Sequence, residues 1–220
     1  MRLVLPRLYV ILDAALLPYP EPESAVKLAG AGVRLMQYRN KSASTRELFA
    51  SAQALGMALR ERGATFIVND RADVAALAGA SGVHVGQDDL TVEQARRVAG
   101  EEAIIGISTH NLEQVRVAAA TSADYIAVGP VFPTASKAEP DPVVGLELVS
   151  QARRLTDKPI VAIGGITLER APGVIEAGAD CVAVISDILH ASDPVQRARQ
   201  YAEVLGSVES CPARARQTHG

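Results

Sequence analysis

Residues 82–89 read Gly82-Val83-His84-Val85-Gly86-Gln87-Asp88-Asp89. A short β-forming run stops abruptly in a glycine, an amide and two carboxylates. The same change of character recurs along the chain. Val33-Arg34-Leu35-Met36 runs into Gln37-Tyr38-Arg39-Asn40-Lys41, and Thr65-Phe66-Ile67-Val68 into Asn69-Asp70-Arg71. Ile104-Ile105-Gly106-Ile107 ends in Ser108, and Tyr125-Ile126-Ala127-Val128 in Gly129-Pro130. Pro159-Ile160-Val161-Ala162-Ile163 ends in Gly164-Gly165, and Cys181-Val182-Ala183-Val184-Ile185 in Ser186. Chemistry at one strand end carries little weight. At seven successive runs it implies that the carboxyl ends converge on one site.

Segments of helical period lie between the runs. Over 44–62, Leu48, Ala52, Leu55 and Leu59 repeat at steps of four and three, one face of an amphipathic helix. Ser44 with Glu47, and Thr91 with Gln94, have the spacing of capping boxes, and Asn111 is placed to cap the helix that follows it. Further helices are predicted over 24–29, 145–155, 168–177 and 193–205. The strands are continuously apolar, as expected when both faces are buried. Strand then helix, about eight times over with short connections, predicts a parallel sheet with right-handed crossovers. A doubly wound open sheet concentrates chemistry at one switch point. A closed (β/α)8 TIM barrel collects it from all strand ends, and the distribution here favours the barrel.

Composition agrees with one domain. The 220 residues are near the lower end for such a barrel, so 1–206 is expected to form it and 207–220, where periodicity is lost, a disordered tail. The net charge of −3 argues against a nucleic-acid partner. No apolar stretch is long enough for a bilayer, and Pro6, Arg7 and Asp13 interrupt any signal peptide. The two cysteines, one in an expected buried strand and one in the tail, predict no disulfide, a reducing compartment and a cytoplasmic location. Oligomeric state is not assigned by these features.

Arg39 and Lys41 pair a planar fork of donors with a mobile point charge, a set suited to a diphosphate; two ordinary surface cations would look the same. Gln37 and Asn69 would add neutral donors. Asp70 and Asp89 each end a buried strand, where a carboxylate is costly unless paired or metal-bound. Two carboxylates plus phosphate oxygens and waters make a Mg²⁺ shell; the alternative pairs Asp70 with Arg71 or Arg39 and uses Asp88 and Asp89 as caps. Gly164-Gly165 and Ile185-Ser186, after the seventh and eighth strands, lie where barrels often bind phosphate, although Gly-Gly also makes a plain tight turn. The loop from Gly129 through Thr134, Ser136 and Lys137 to Pro142 suits a lid over phosphates or an ordinary surface loop. His84, placed to point into the barrel, and His110, near the mouth, suit structural hydrogen bonding at least as well as catalysis. The sequence contains no zinc spacing, nucleophile elbow or mid-strand lysine.

Taken together, these motifs resemble the thiamine phosphate synthase family. The resemblance runs from Leu8 to about Leu205 and rests on Gln37-Tyr38-Arg39-Asn40-Lys41, Asn69-Asp70-Arg71-Ala72-Asp73, residues 82–89, Gly129-Pro130-Val131-Phe132-Pro133-Thr134 and Gly178-Ala179-Asp180. It implies a transferase in which 4-amino-2-methylpyrimidin-5-ylmethyl diphosphate alkylates the ring nitrogen of 4-methyl-5-(2-phosphooxyethyl)thiazole, or its carboxylated form, and releases diphosphate. It implies that Gln37, Arg39, Lys41, Asn69 and Lys137 hold the pyrimidine diphosphate, and that Asp70 and Asp89 ligate Mg²⁺. Ser108 would lie beside the reacting pyrimidine, while Thr134, Ser136, Gly165, Ile185 and Ser186 would hold the thiazole phosphate. Arg39, Lys41, Ser108 and Lys137 would be the catalytic set.

The chain departs from the family pattern at four positions. Ser136 stands for a usual Thr, Arg170 for Asn, Cys181 for Gly and Asp187 for Ala. An Asp187 facing inward would repel a phosphate. The related thiazole tautomerases share the barrel but lack the full diphosphate and metal set, and they carry a His in the loop after the sixth strand. A non-catalytic phosphate sensor is the reading from another class, and it leaves the carboxylate pair and lid lysine without a purpose.

Overall fold

The computed structural model describes residues 3–134 and 141–206. Eight strands close into a barrel in chain order. They are β1 (Leu8–Asp13), β2 (Leu35–Arg39), β3 (Thr65–Asn69), β4 (Gly82–Val85), β5 (Ile104–Thr109), β6 (Tyr125–Val128), β7 (Ile160–Ile163) and β8 (Cys181–Val184). Every pairing is parallel, and β1 closes the ring against β8 with Leu8 opposite Val182. The structure is the (β/α)8 barrel that the strand-end pattern predicts.

Alternation along the strands divides the core in two. Side chains such as Val10, Met36, Phe66, Val83 and Ile126 point outward and pack under the helices. Tyr9, Ile11, Leu35, Ile67, Tyr125, Val161 and Cys181 fill the lumen. Burial on both faces explains the unbroken apolar runs. The lumen of such a barrel is a packed core, so chemistry is confined to its rims.

The helices are α1 (Glu21–Gly30), α2 (Thr45–Arg60), α3 (Ala72–Leu77), α4 (Val92–Ala99), α5 (Leu112–Ala120), α6 (Gly145–Leu155), α7 (Ala171–Glu176), α8 (Ser186–Leu189) and α9 (Pro194–Leu205). Both capping boxes form, at Ser44/Glu47 and Thr91/Gln94. Asn111 Oδ1 accepts the Gln114 amide at 2.9 Å. Two helices differ from the periodicity reading for reasons of proline geometry. α1 starts three residues before Ser24 because Pro22, with no N–H to satisfy, is favourable in a first turn. α7 is shorter than 168–177 because Pro172 fits only in the first turn, so 168–170 form a turn instead.

The amino-terminal rim is tied by a repeated device. Asp124 Oδ2, just before β6, accepts the Ile105 amide at 2.9 Å and Arg96 Nη2 at 2.8 Å. Asp180 Oδ2, just before β8, accepts the Ile160 amide at 2.8 Å and Arg153 Nη1 at 2.9 Å. The Gly178-Ala179-Asp180 motif therefore stitches strands together at the end away from the polar cluster, where barrel residues serve stability.

Candidate active site

Strand ends β2 to β5, β7 and β8 meet at a single cavity on the carboxyl face. Gln37 and Arg39, Asn69, His84, Ser108, Gly164 and Gly165, and Ile185 and Ser186 all line it. Thr134 lines it from the loop after β6. Eight of the expected site residues thus converge: Gln37, Arg39, Asn69, Ser108, Thr134, Gly165, Ile185 and Ser186. Ser136 and Lys137 lie outside the described residues. Lys41, Asp70 and Asp89 are not in the cavity wall itself; they form a charged group at the same end of the barrel, just past β2, β3 and β4.

That group is tightly coupled. Lys41 Nζ donates to Asp70 Oδ2. Burial raises the Asp70 carboxyl above its ordinary range; Lys41 pulls it down, and the nearby Asp89 carboxylate raises it further. Asp89 Oδ2 also accepts the Gly86 amide at 2.8 Å. The competing pairings do not form: Arg71 binds Asp73 at 2.6 Å, and Arg39 binds Asp13. Two mutually repelling carboxylates, one of them half-buried, suit a divalent cation that neutralises both. Among the described residues no cluster of three or more His, Cys, Asp or Glu side chains is placed to hold a metal. A two-carboxylate set is sufficient for Mg²⁺, whose remaining positions are filled by water and substrate oxygen.

Asp13, not among the expected site residues, is the partner of Arg39. It ends β1 opposite Arg39, is 5% exposed, and engages the Arg39 guanidinium through Nη1. Its only signal in the sequence was a carboxylate closing an apolar run, hidden because the run lies at the chain's start. His110 lines the cavity; its Nδ1 lies 2.6 Å from the Gly129 carbonyl and its Nε2 3.7 Å from Asp141. It links the β5 end to both flanks of the loop after β6.

The Gly-Gly turn is both a turn and a cavity wall. Gly164 and Gly165 have φ of 100° and 61°. A Cβ on Gly165 would lie 2.3 Å from the Pro133 carbonyl oxygen, so only glycine lets this turn press against the loop after β6. The departures from the family pattern also have places. Arg170 Nη1 donates to the Gly165 carbonyl at 2.8 Å, and its guanidinium lies 4.7 Å over the Phe132 ring. It braces the outside of the turn. Asp187 faces away from the cavity, accepting the Tyr201 hydroxyl at 2.8 Å with Arg197 at 3.6 Å, so it does not set a carboxylate against a bound phosphate. Cys181 is free and buried in the lumen. Among the described residues no helix is long and apolar enough to cross a membrane.

Comparison with known proteins agrees with this geometry. The family model for thiamine monophosphate synthase matches residues 8–188. The thiamine-phosphate synthase of Koribacter versatilis is 52% identical over 211 residues, covering 93% of this chain and 98% of the relative. That of Agrobacterium fabrum is 45% identical over 193 residues, 85% and 88% of the two chains. The solved thiamine phosphate pyrophosphorylase from Pyrococcus furiosus superposes with a TM-score of 0.82 at 37% identity, covering 90% of this chain and 95% of that one. The chain belongs to the thiamine monophosphate synthase family.

Proposed function

We propose that the chain joins 4-amino-2-methylpyrimidin-5-ylmethyl diphosphate to 4-methyl-5-(2-phosphooxyethyl)thiazole, or its carboxylated form, giving thiamine phosphate and diphosphate, with carbon dioxide as a further product of the carboxylated form. The observation that carries this reading is the adjacency of a mixed apolar and polar cavity to the Lys41–Asp70–Asp89 group. A flat heterocycle and a charged leaving group need those two environments side by side.

The nucleophile is the lone pair of a neutral ring nitrogen, so no general base is required. With the uncarboxylated thiazole one C–N bond forms at the methylene, one C–O bond breaks, and no proton moves. The carboxylated form additionally breaks the ring-carbon–carboxylate bond, releases carbon dioxide and takes up one proton from solvent at that carbon. That fits the histidines: both ring nitrogens of His84 and Nδ1 of His110 already have protein partners. Positive charge develops on a carbon attached to an electron-rich aminopyrimidine. Ile11, Ala127, Val161 and Ile163 line the cavity and keep water from competing with the thiazole. Arg39, steadied by Asp13, and Lys41 receive the diphosphate, as would Lys137; Gln37 and Asn69 bind from neighbouring strand ends. Leaving-group charge grows in the transition state, so these cations act on rate more than on binding. Asp70 and Asp89 fit as Mg²⁺ ligands, and the ion when bound would supply further charge neutralisation on the leaving diphosphate. Thr134, Ser136, Gly165, Ile185 and Ser186 hold the thiazole phosphate, positioning its ring in line.

Incubating the purified protein with both substrates and Mg²⁺ and measuring thiamine phosphate tests the proposal directly. Isomerisation of a thiazole without coupling would instead support a tautomerase, and neither product would sink the enzymatic reading.

A further inference from the structure

Five polar side chains from five strands form a hydrogen-bonded chain across the lumen beneath the cavity. Gln37 Nε2 donates to Tyr9 Oη at 2.8 Å, and Tyr9 Oη lies 3.2 Å from Tyr125 Oη. Tyr125 Oη lies 2.9 Å from His84 Nδ1, and His84 Nε2 lies 2.9 Å from Ser108 Oγ. Gln37, Tyr9 and Tyr125 are 2%, 1% and 0% exposed. The barrel makes room for the chain: a Cβ on Gly106 would lie 2.0 Å from Tyr125 Cζ.

Proton counting gives the chain a direction. Burial raises both phenols far above their ordinary range, so each keeps one proton. Tyr9 accepts from Gln37, and among the described residues Tyr125 is the one remaining acceptor for its proton. Tyr125, having accepted from Tyr9, must donate to His84 Nδ1. A histidine accepting at Nδ1 carries its proton on Nε2, and that proton goes to Ser108 Oγ. With Gln37 Nε2 facing Tyr9, the opposite direction would leave the Tyr9 proton without an acceptor in a buried site, costing on the order of 1–3 kcal/mol. Reversal of the chain therefore requires the Gln37 amide to turn and present Oε1 to Tyr9. At the two ends, Gln37 Oε1 and the Ser108 hydroxyl proton have no protein partner among the described residues, and both residues line the cavity.

We propose that Tyr9, Tyr125 and His84 are positioning residues that hold the pocket in one polarity, with Gln37 as acceptor and Ser108 as donor toward the substrate. The matching ligand edge carries one donor and one acceptor, as an exocyclic amine and a ring nitrogen of an aminopyrimidine do. The 4-oxo analogue, with a carbonyl and a ring N–H, reverses that order. For the identity of the ligand the inference rests on the reaction proposed above; for the direction of the chain it does not.

Nitrogen-15 NMR of histidine-labelled, substrate-free protein reads the direction, with the His84 signal assigned by its loss in His84→Gln. The expected result is a neutral ring protonated at Nε2; protonation at Nδ1 overturns the proposal. Tyr125→Phe should release His84 into a tautomer mixture. It should raise the KM for the pyrimidine diphosphate about 5- to 10-fold, the worth of one buried hydrogen bond, and leave that for the thiazole phosphate unmoved. Equal shifts in both constants, or none, would overturn the proposal. Tyr9→Phe breaks the same chain one link away and serves if Tyr125→Phe does not fold. By calorimetry, 4-amino-5-hydroxymethyl-2-methylpyrimidine should bind more tightly than its 4-oxo analogue by about 10-fold or more, and equal affinity would count against the assigned polarity. Absence of thiamine phosphate with the Nε2 tautomer in place would sink the reaction alone. Product formation with the Nδ1 tautomer would sink the chain alone.

Discussion

Asp70 is the one described non-glycine residue in the left-handed region, at φ 62°. Such a backbone costs on the order of 1–3 kcal/mol, less for Asp than for bulkier residues. The turn follows β3 directly and sets the carboxylate beside Lys41 and Asp89. Asp70→Asn tolerates the same backbone and removes the charge. With both substrates present, it should slow turnover about 10-fold or more, near 1.4 kcal/mol of barrier, and chelation of Mg²⁺ should abolish turnover. Full activity in chelator would remove the metal from the reaction. A second contrast separates the two anion sites. Arg39→Ala or Lys41→Ala should fall mainly on kcat, because the leaving group gains charge in the transition state. Ser186→Ala should raise the KM for the thiazole phosphate, whose phosphate charge does not change. A Lys41→Ala effect confined to thiazole KM would mean that the anions are assigned the wrong way round. Most of these residues were legible because each ends an apolar run. Asp13 and the two lumen tyrosines were not, since a tyrosine inside a strand reads as ordinary core.

At the scale of elements, the signals that survived are those written in local hydrogen bonds. The capping box at Ser44 forms with Glu47 as its spacing predicts, the Glu47 amide lying 3.3 Å from Ser44 Oγ. Ser44→Ala should cost about 1 kcal/mol, lowering Tm by roughly 2–4 °C in a domain of this size; an unchanged melting curve would show the cap to be idle. α6 spans the predicted 145–155. α3 and α8 were not separately legible, because one has six residues and the other four, too few for a hydrophobic period to repeat. α3 is held between β3 and β4, and α8 packs between the end of β8 and α9. Gly165→Ala places a Cβ at positive φ against the Pro133 carbonyl. It should raise the thiazole phosphate KM and lower Tm together. A variant with neither change would mean that the turn yields freely.

For the molecule as a whole, closure leaves little slack. A Cβ on Gly82 would sit 1.9 Å from the Ile104 carbonyl oxygen, so Gly82→Ala must spread β4 from β5 and should cost more stability than any cap. Circular dichroism melts would register it, and a wild-type Tm would contradict the strand spacing. Cys181 is 0% exposed, and burial raises its thiol far above the ordinary range. A thiol reagent should therefore not modify Cys181 in the folded protein. Two thiols should titrate in denaturant without reductant, and a stable bridge between Cys181 and Cys211 would contradict this. The sequence by itself determined the parallel barrel, the capped helices and the ring of polar strand ends, because period, caps and abrupt apolar-to-polar junctions are local properties of the chain. Only the tertiary structure decided which charges meet: Asp13 with Arg39, Lys41 with Asp70, and Asp187 outward on Tyr201 and Arg197. It also decided that Tyr9, Tyr125 and His84 join across the lumen. Those contacts depend on the stagger and closure of eight strands, which set distances between residues as much as 116 positions apart in the chain.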